Sequence, residues 1–534
     1  MVRYLIIATF LMILTSSCKK ITNSYQPQIS NSVSVLTQHN DNTRAGLNDK
    51  ETILNTTNVN TNYFGKLFTL PVDDEVYAQP LVVGNLVVGG RIRNIVYIAT
   101  VNNSLYAYDA LNGELFWEKN FTGTGNRPPN ALDVDCTNFT QNMGIVGTPV
   151  IDLTSGTIYF VSRSTEGIHF HQYLHAVGLT DGSDKLGSPV EIKASVPGTG
   201  DGNVNDTVYF DPLRNNQRQG LALVNGIVYI SWASHCDWNP YHGWVIGYDA
   251  STLNQKFVYC DTPGGAEGGI WESGMGIAAD SDGNLYITTG NGTVGQSDPT
   301  DLSNRGESAL KLIPSGSGMT ISSYFTPSNY QYLNDNDLDY GVMGTFLIPN
   351  SHYYFTGGKD GNIYILERDD MGGYSATLNN VQQTIKINDG LHCQPAWYSG
   401  NNGEFAFIWS ENDALRAIPY NRNSNTFSGN QILSDVSGPG GESGAEISVS
   451  SNGRTDGTGI VWAAYAISTD ADIIAGPGIL RAFDANDITK QLWNSSQSPA
   501  DNPGYFAKFS APTIANGYVY LATFSKQVVV YGLK

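Results

Sequence analysis

Residues 95–121 read IVYIATVNNSLYAYDALNGELFWEKNF, and the punctuation of this stretch decides the fold. Ile95-Val96-Tyr97-Ile98-Ala99 and Leu105-Tyr106-Ala107-Tyr108 are short runs rich in β-branched and aromatic residues, parted by the polar turn Asn102-Asn103-Ser104. The tight turn Asp109-Ala110-Leu111-Asn112-Gly113-Glu114 then leads into a third run ending at Trp117. Runs of this kind between Asn, Asp and Gly read as strands. Asp109 can accept a hydrogen bond from its own backbone two residues on, and Gly113 can take the positive φ the turn needs. Trp117 carries a large flat surface to bury against a neighbouring unit. A sheet this small cannot cover its own faces, so it predicts further copies of itself.

The copies are present. Val245–Leu253 (VIGYDASTL) and Leu480–Trp493 (LRAFDANDITKQLW) repeat the strand followed by an Asp turn, and weaker copies run over 174–192 and 361–369. A repeat of tens of residues with several strands in each is the signature of a β-propeller. Inner strands are expected to start near Gln79, Gly147, Gly220, Gly276, Gly344, Gln394, Glu446 and Ala511, which makes eight blades, or seven if one weak stretch is an insertion. Phe64 to Leu70 is a strand with no partner nearby in sequence, whereas Pro512 to Leu533 supplies three strands at the other end. Pairing the two closes the ring and leaves no exposed edge. The expected fold class is therefore all-β, an eight-bladed propeller closed by an N-terminal strand on the C-terminal sheet. The Ala-Tyr-Asp…Asn-Gly…Trp pattern resembles the pyrroloquinoline-quinone-like repeat of quinoprotein-type propellers. That resemblance implies the fold and no particular activity.

The chain has 534 residues with a formal charge of −20, Asp plus Glu outnumbering Lys plus Arg by 49 to 29. A dispersed acidic surface argues against nucleic acid as a partner, because nucleic-acid binding needs a basic footprint. Residues 1–18 read as a signal segment: Arg3, an apolar stretch from Leu5 to Leu14, then Thr15-Ser16-Ser17 before Cys18. This resembles a bacterial lipoprotein signal, in which Cys18 would be lipidated, with Thr15 in place of the usual Leu; an ordinary secretory signal is the alternative. Either implies export. Residues 19–32 read as a flexible tether and 33–534 as one propeller domain, monomeric and meeting the membrane only through its anchor. Four further cysteines, Cys136, Cys236, Cys260 and Cys393, allow three disulfide pairings, and their scatter argues against a zinc site.

The resemblance extends to quinoprotein alcohol dehydrogenases, which hold a quinone over a calcium or lanthanide ion. Thr288-Thr289-Gly290-Asn291-Gly292 looks like the strand end whose Asn gives the metal its amide oxygen; read alone, it is also a hairpin turn. Asn334–Gly341 (NDNDLDYG) falls where those enzymes carry their catalytic and metal-binding carboxylate, so Asp337 or Asp339 takes that part, or the stretch is a solvated acidic loop. Gly358–Arg368 (GKDGNIYILER) matches the segment whose Lys bonds the quinone, here Lys359, which could equally balance the nearby acids. Two parts of the pattern are missing. Asp135-Cys136-Thr137 has one thiol where the enzymes have a vicinal disulfide, and Trp238 stands in the register of the metal-binding Glu. Asp237, one residue away, could serve only if the loop shifts, since neighbours on an extended chain face opposite ways.

His235, His242, Trp271, Glu272, His392, Trp409, Glu411 and Lys508 also fall at inner strand ends. Two His, a Cys and an Asp between 235 and 242 could hold a transition metal, or form a disulfide flanked by hydrogen-bonded histidines. Trp271-Glu272 and Trp409…Glu411 pair an aromatic platform with an acceptor, suited to polar rings or to packing between blades. No Gly-x-Ser-x-Gly elbow, phosphate loop or zinc-protease helix is present, and no helical pattern of any length. The leading expectation is an envelope lipoprotein that binds a small polar ligand, protein or glycan through its axial funnel, with Lys359, Asn291, Asp337, His242 and Trp271 facing it. The alternative is a dehydrogenase using pyrroloquinoline quinone and calcium, with Asp337 or Asp339 as base.

Overall fold

The computed structural model describes residues 32–134, 136, 142–388 and 390–534. Cys18 and the proposed signal lie outside the described residues. Within them, eight sheets of four to five strands make up the ring. Their innermost strands begin at Leu81, Val150, Ala222, Ala278, Phe346, Ala396, Glu446 and Thr513, at or within three residues of each expected start.

The founding repeat forms as its residues dictate. Arg91–Ala99, Ser104–Asp109 and Leu115–Asn120 pair antiparallel behind Leu81–Val88, the third strand running three residues past Trp117. Asp109 Oδ1 accepts from the Leu111 amide at 2.8 Å and Gly113 sits at φ +73°. The same Asx turn recurs where Asp249 accepts from Ser251 and where Asp484 accepts from Asn486. Trp117 donates to the Leu179 carbonyl of the next blade at 3.0 Å, so the tryptophan ties one sheet to its neighbour.

Closure is as expected. Phe64–Pro71 pairs antiparallel with Gln527–Leu533, Leu70 opposite Val528 and Phe64 opposite Leu533, completing the sheet begun by Thr513–Ala515 and Tyr518–Ala522. The segment before it plugs the axis from below. Arg44 donates to the carbonyls of Gln38, Leu221 and Ile277 and to the Thr37 hydroxyl, and Thr148 donates to Gln38, so the plug touches several blades at once. Leu47–Asn48 continues as a parallel strand on Glu446–Ser450.

Two short helices, Ala131–Val134 and Tyr330–Asp335, depart from the helix-free expectation. They are too short to leave a periodic pattern in sequence. No described helix is long and apolar enough to cross a membrane.

Candidate functional site

Above the plug the inner strand ends surround a cavity of about 190 Å³. Asp237, Trp271, Asp337, Asp339 and Lys359 line it together, although they come from four separate loops. Asn291 joins them through hydrogen bonds, while His242 stands apart.

The acidic wall is built from the loop after Tyr330–Asp335. Asp339, almost wholly buried, accepts the Asn291 amide proton at 2.7 Å on Oδ1 and meets the Lys359 ammonium at 2.6 Å on Oδ2. Asp337 Oδ1 accepts from Asn291 Nδ2 at 2.7 Å and from Lys359 at 3.0 Å. Lys359 therefore bridges both carboxylates. Burial works against its charge, but the two aspartates outweigh burial and hold the ammonium above its usual range. Behind them Glu307 is buried, accepts from the Tyr340 amide at 2.7 Å, and is pushed up by burial and by Asp339.

Asp237 reaches this wall because its loop does shift. Cys236 and Asp237 both adopt left-handed backbone, at φ 47° and 49°, and Asp237 comes to line the cavity while accepting from the Tyr241 hydroxyl at 2.6 Å. Burial and the charge of Asp339 raise its carboxyl to about 6. Trp238 lies instead against the Arg214 guanidinium, 3.5 Å from its ring centre.

The cysteines are distributed in a way the sequence left open. Cys136 and Cys236, 100 residues apart, form a disulfide that also lines the cavity, while Cys260 and Cys393 are buried thiols. This removes Cys236 as a metal ligand. The histidines are committed too: His235 Nε2 meets an Arg163 nitrogen at 2.7 Å, and His242 is clamped between Thr262 and the Asp201 carbonyl, both at 2.9 Å. The placing of His242 in the funnel is corrected on this point. It sits beneath the loop over 198–219, and sequence gave no sign that this loop would reach across to it.

Trp409 is likewise internal, packed on Tyr465 and Phe483 and donating to the Asp413 carbonyl. Glu272 is buried beneath Thr288, whose amide it accepts at 2.8 Å, and burial pushes it up to about 7. His392 does line the cavity, its Nδ1 held by Glu411 at 2.5 Å. Burial lowers its basicity, but Glu442 and Glu411 outweigh this and raise it. Lys508 pairs with Asp472 at 3.1 Å. Arg218, which the sequence reading passed over, lines the cavity as a third cation beside Lys359 and Lys508.

The donor types suit a hard cation: the Asn291 amide oxygen is buried without a hydrogen bond, and three aspartates stand close by. The three aspartates do not themselves converge as a ligand cluster: among the described residues the one group of histidine, cysteine or carboxylate ligands with three atoms within 4.8 Å of one another is His352, Glu367 and Asp369, elsewhere on the fifth blade. Between Asp337 and Asp339 the positive charge is already the chain's own lysine.

No family model matches the sequence, and no curated protein matches it. Solved structures do share its architecture. A quinohemoprotein alcohol dehydrogenase from Comamonas testosteroni superposes with a TM-score of 0.59 at 12% identity, over 94% of this chain and 80% of that one. The quinohemoprotein alcohol dehydrogenase ADHIIG from Pseudomonas putida HK5 gives 0.56 at 14% identity over the same shares. A europium-containing methanol dehydrogenase gives 0.54 at 12% identity, over 94% of this chain and 98% of that one. The protein is thus an eight-bladed propeller of quinoprotein-like fold. At these identities the likeness concerns the fold alone.

Proposed function

We propose that this chain is a ligand-binding propeller, exported to the bacterial cell envelope and anchored there through Cys18, whose funnel receives a small polar ligand without quinone turnover. The observation that carries this reading is the doubly paired ammonium of Lys359, which engages both carboxylates a dehydrogenase would leave for metal and proton and offsets one of their two charges. The long-range Cys136–Cys236 bridge supports it, since this chain lacks the vicinal pair on which the resembling enzymes stack their quinone. The protein acts as a monomer and touches the membrane only through its anchor; an envelope protein or glycan carrying the same small group would bind equally.

A dehydrogenase using pyrroloquinoline quinone and calcium is the second reading, favoured by the buried Asn291 oxygen without a partner. It would give Asn291, Asp237 and Asp337 to the metal, Lys359 to the quinone and Asp337 or Asp339 to the alcohol proton. With Lys359 where it stands, these residues do not fit that ion, and no chemical step is derived through it.

The test is a dye-linked alcohol assay on purified protein supplied with the quinone and calcium, read beside the absorbance of any retained quinone. The expected result is neither dye reduction nor retained quinone. Turnover that Lys359→Ala abolishes would overturn the proposal in favour of the dehydrogenase.

A further inference from the structure

Arg218 lies in the loop leading into the third blade's inner strand, Ala222–Val224. Its guanidinium carbon sits 5.0 Å over the Trp271 ring and 4.3 Å over the Phe509 ring. Aromatic faces stabilise a cation but accept no conventional hydrogen bond from its N–H groups. The Arg218 side chain makes no ion pair with a described carboxylate, and its Nε is buried without a partner. The cavity's lysines differ: Lys359 pairs with Asp337 and Asp339, and Lys508 with Asp472.

Arg218 is not alone in this. The Ser234 hydroxyl and the Trp271 indole N–H, both from residues lining the same cavity, are also buried without partners. A buried donor left unpaired costs roughly 1–3 kcal/mol, so three such donors around one cavity call for an acceptor that the chain does not supply. The cavity thus holds a guanidinium, an indole N–H and a hydroxyl that can each donate, one of them charged, and such donors suit an oxyanion. The guanidinium's planar fork matches a carboxylate in particular.

The opposite wall sets what else the ligand carries. Asp237 and Asp337 present acceptors there, and a second negative charge on the ligand would meet their repulsion together with that of Asp339, Glu442 and Asp472, which line the same cavity. The ligand's far end must donate hydrogen bonds and carry no negative charge.

We propose that Arg218, with Ser234 and Trp271, forms a carboxylate subsite, and that the funnel's ligand is a small polyhydroxylated monoacid of the sugar-acid class, its carboxylate on Arg218 and its hydroxyls toward Asp237 and Asp337. This rests on the ligand-binding reading of the funnel. The experiment is titration calorimetry of the full exported chain with glucuronate, glucose and inorganic phosphate, repeated on Arg218→Gln, Arg218→Lys and Ser234→Ala. Glucuronate is expected to bind at least about 10-fold tighter than glucose, a charged hydrogen bond being worth roughly that factor or more. Arg218→Gln should abolish this preference, Arg218→Lys should keep part of it, and Ser234→Ala should weaken glucuronate alone. Ser234→Ala carries the test if Arg218→Gln does not fold. Glucose binding as well as glucuronate, or an unchanged preference in the variants, overturns the carboxylate subsite while leaving a ligand-binding funnel. Phosphate binding as tightly as glucuronate overturns the sugar-acid assignment. Binding of none of the three overturns both readings together.

Discussion

Two arginines, Arg44 wholly buried and Arg218 partly so, are treated in opposite ways. At the floor, Arg44 directs its donors at three backbone carbonyls and a hydroxyl taken from the plug and two blades. At the wall, Arg218 lies between two aromatic rings and donates to no described side chain or carbonyl. The floor arginine therefore holds the architecture together, and the wall arginine is poised for something the chain does not contain. A polar group's burial says little about its purpose; what its donors meet says much more.

The sharpest way to break that comparison is to remove each guanidinium in turn. Arg44→Met strands several buried carbonyls and should cost about 4 kcal/mol in denaturant unfolding, whereas Arg218→Gln should cost under about 1 kcal/mol. Equal losses would mean that Arg218 is structural after all.

Next comes the buried carboxylate between the two regions. Glu446 accepts from the Phe509 amide beside the cavity, and burial raises its carboxyl from the ordinary 4.5 to about 8. The folded chain therefore holds a proton that the unfolded chain releases. The stability this lends is complete below about pH 4.5 and is lost as the pH rises toward 8. Glu446→Gln should remove roughly 3 kcal/mol of that slope in unfolding curves taken between pH 5 and 8. A variant with the parent slope would show that Glu446 is ionised in the fold.

The smallest effect concerns the acidic wall. Calcium should leave the parent's melting temperature unchanged, while Lys359→Ala, which uncovers Asp337 and Asp339, should gain a calcium-dependent rise of roughly 2 °C. A rise in the parent instead would return weight to the metal-dependent reading.

The ring was legible because its signal is local and repeated. Each Asp turn and each β-branched run announces itself within ten residues, and the unpaired strand at Phe64 pointed to its distant partner by elimination. Lys359, Asp337 and Asp339 were singled out by the resemblance of their segments to those of quinoprotein dehydrogenases, and Trp271 by its place at an inner strand end. Asp237 turned on backbone handedness at Cys236 and Asp237, for which neither residue type gives a sign. His242 was lost to a loop whose path is fixed by tertiary contacts with Asp201, and the Cys136–Cys236 bridge belongs to one of the three pairings the sequence could not choose among. Arg218 escaped notice for a different reason. Its meaning lies in what surrounds it, two rings and no carboxylate in direct contact, and sequence lists neighbours along the chain only.

The clasp between Phe64–Pro71 and Gln527–Leu533 also has a consequence for biosynthesis. The first of these strands leaves the ribosome more than four hundred residues before its mate. Throughout that interval a row of open backbone groups is available to any passing strand, so the ring can close only once the last strand has been made, and until then the early strand must be kept from pairing elsewhere.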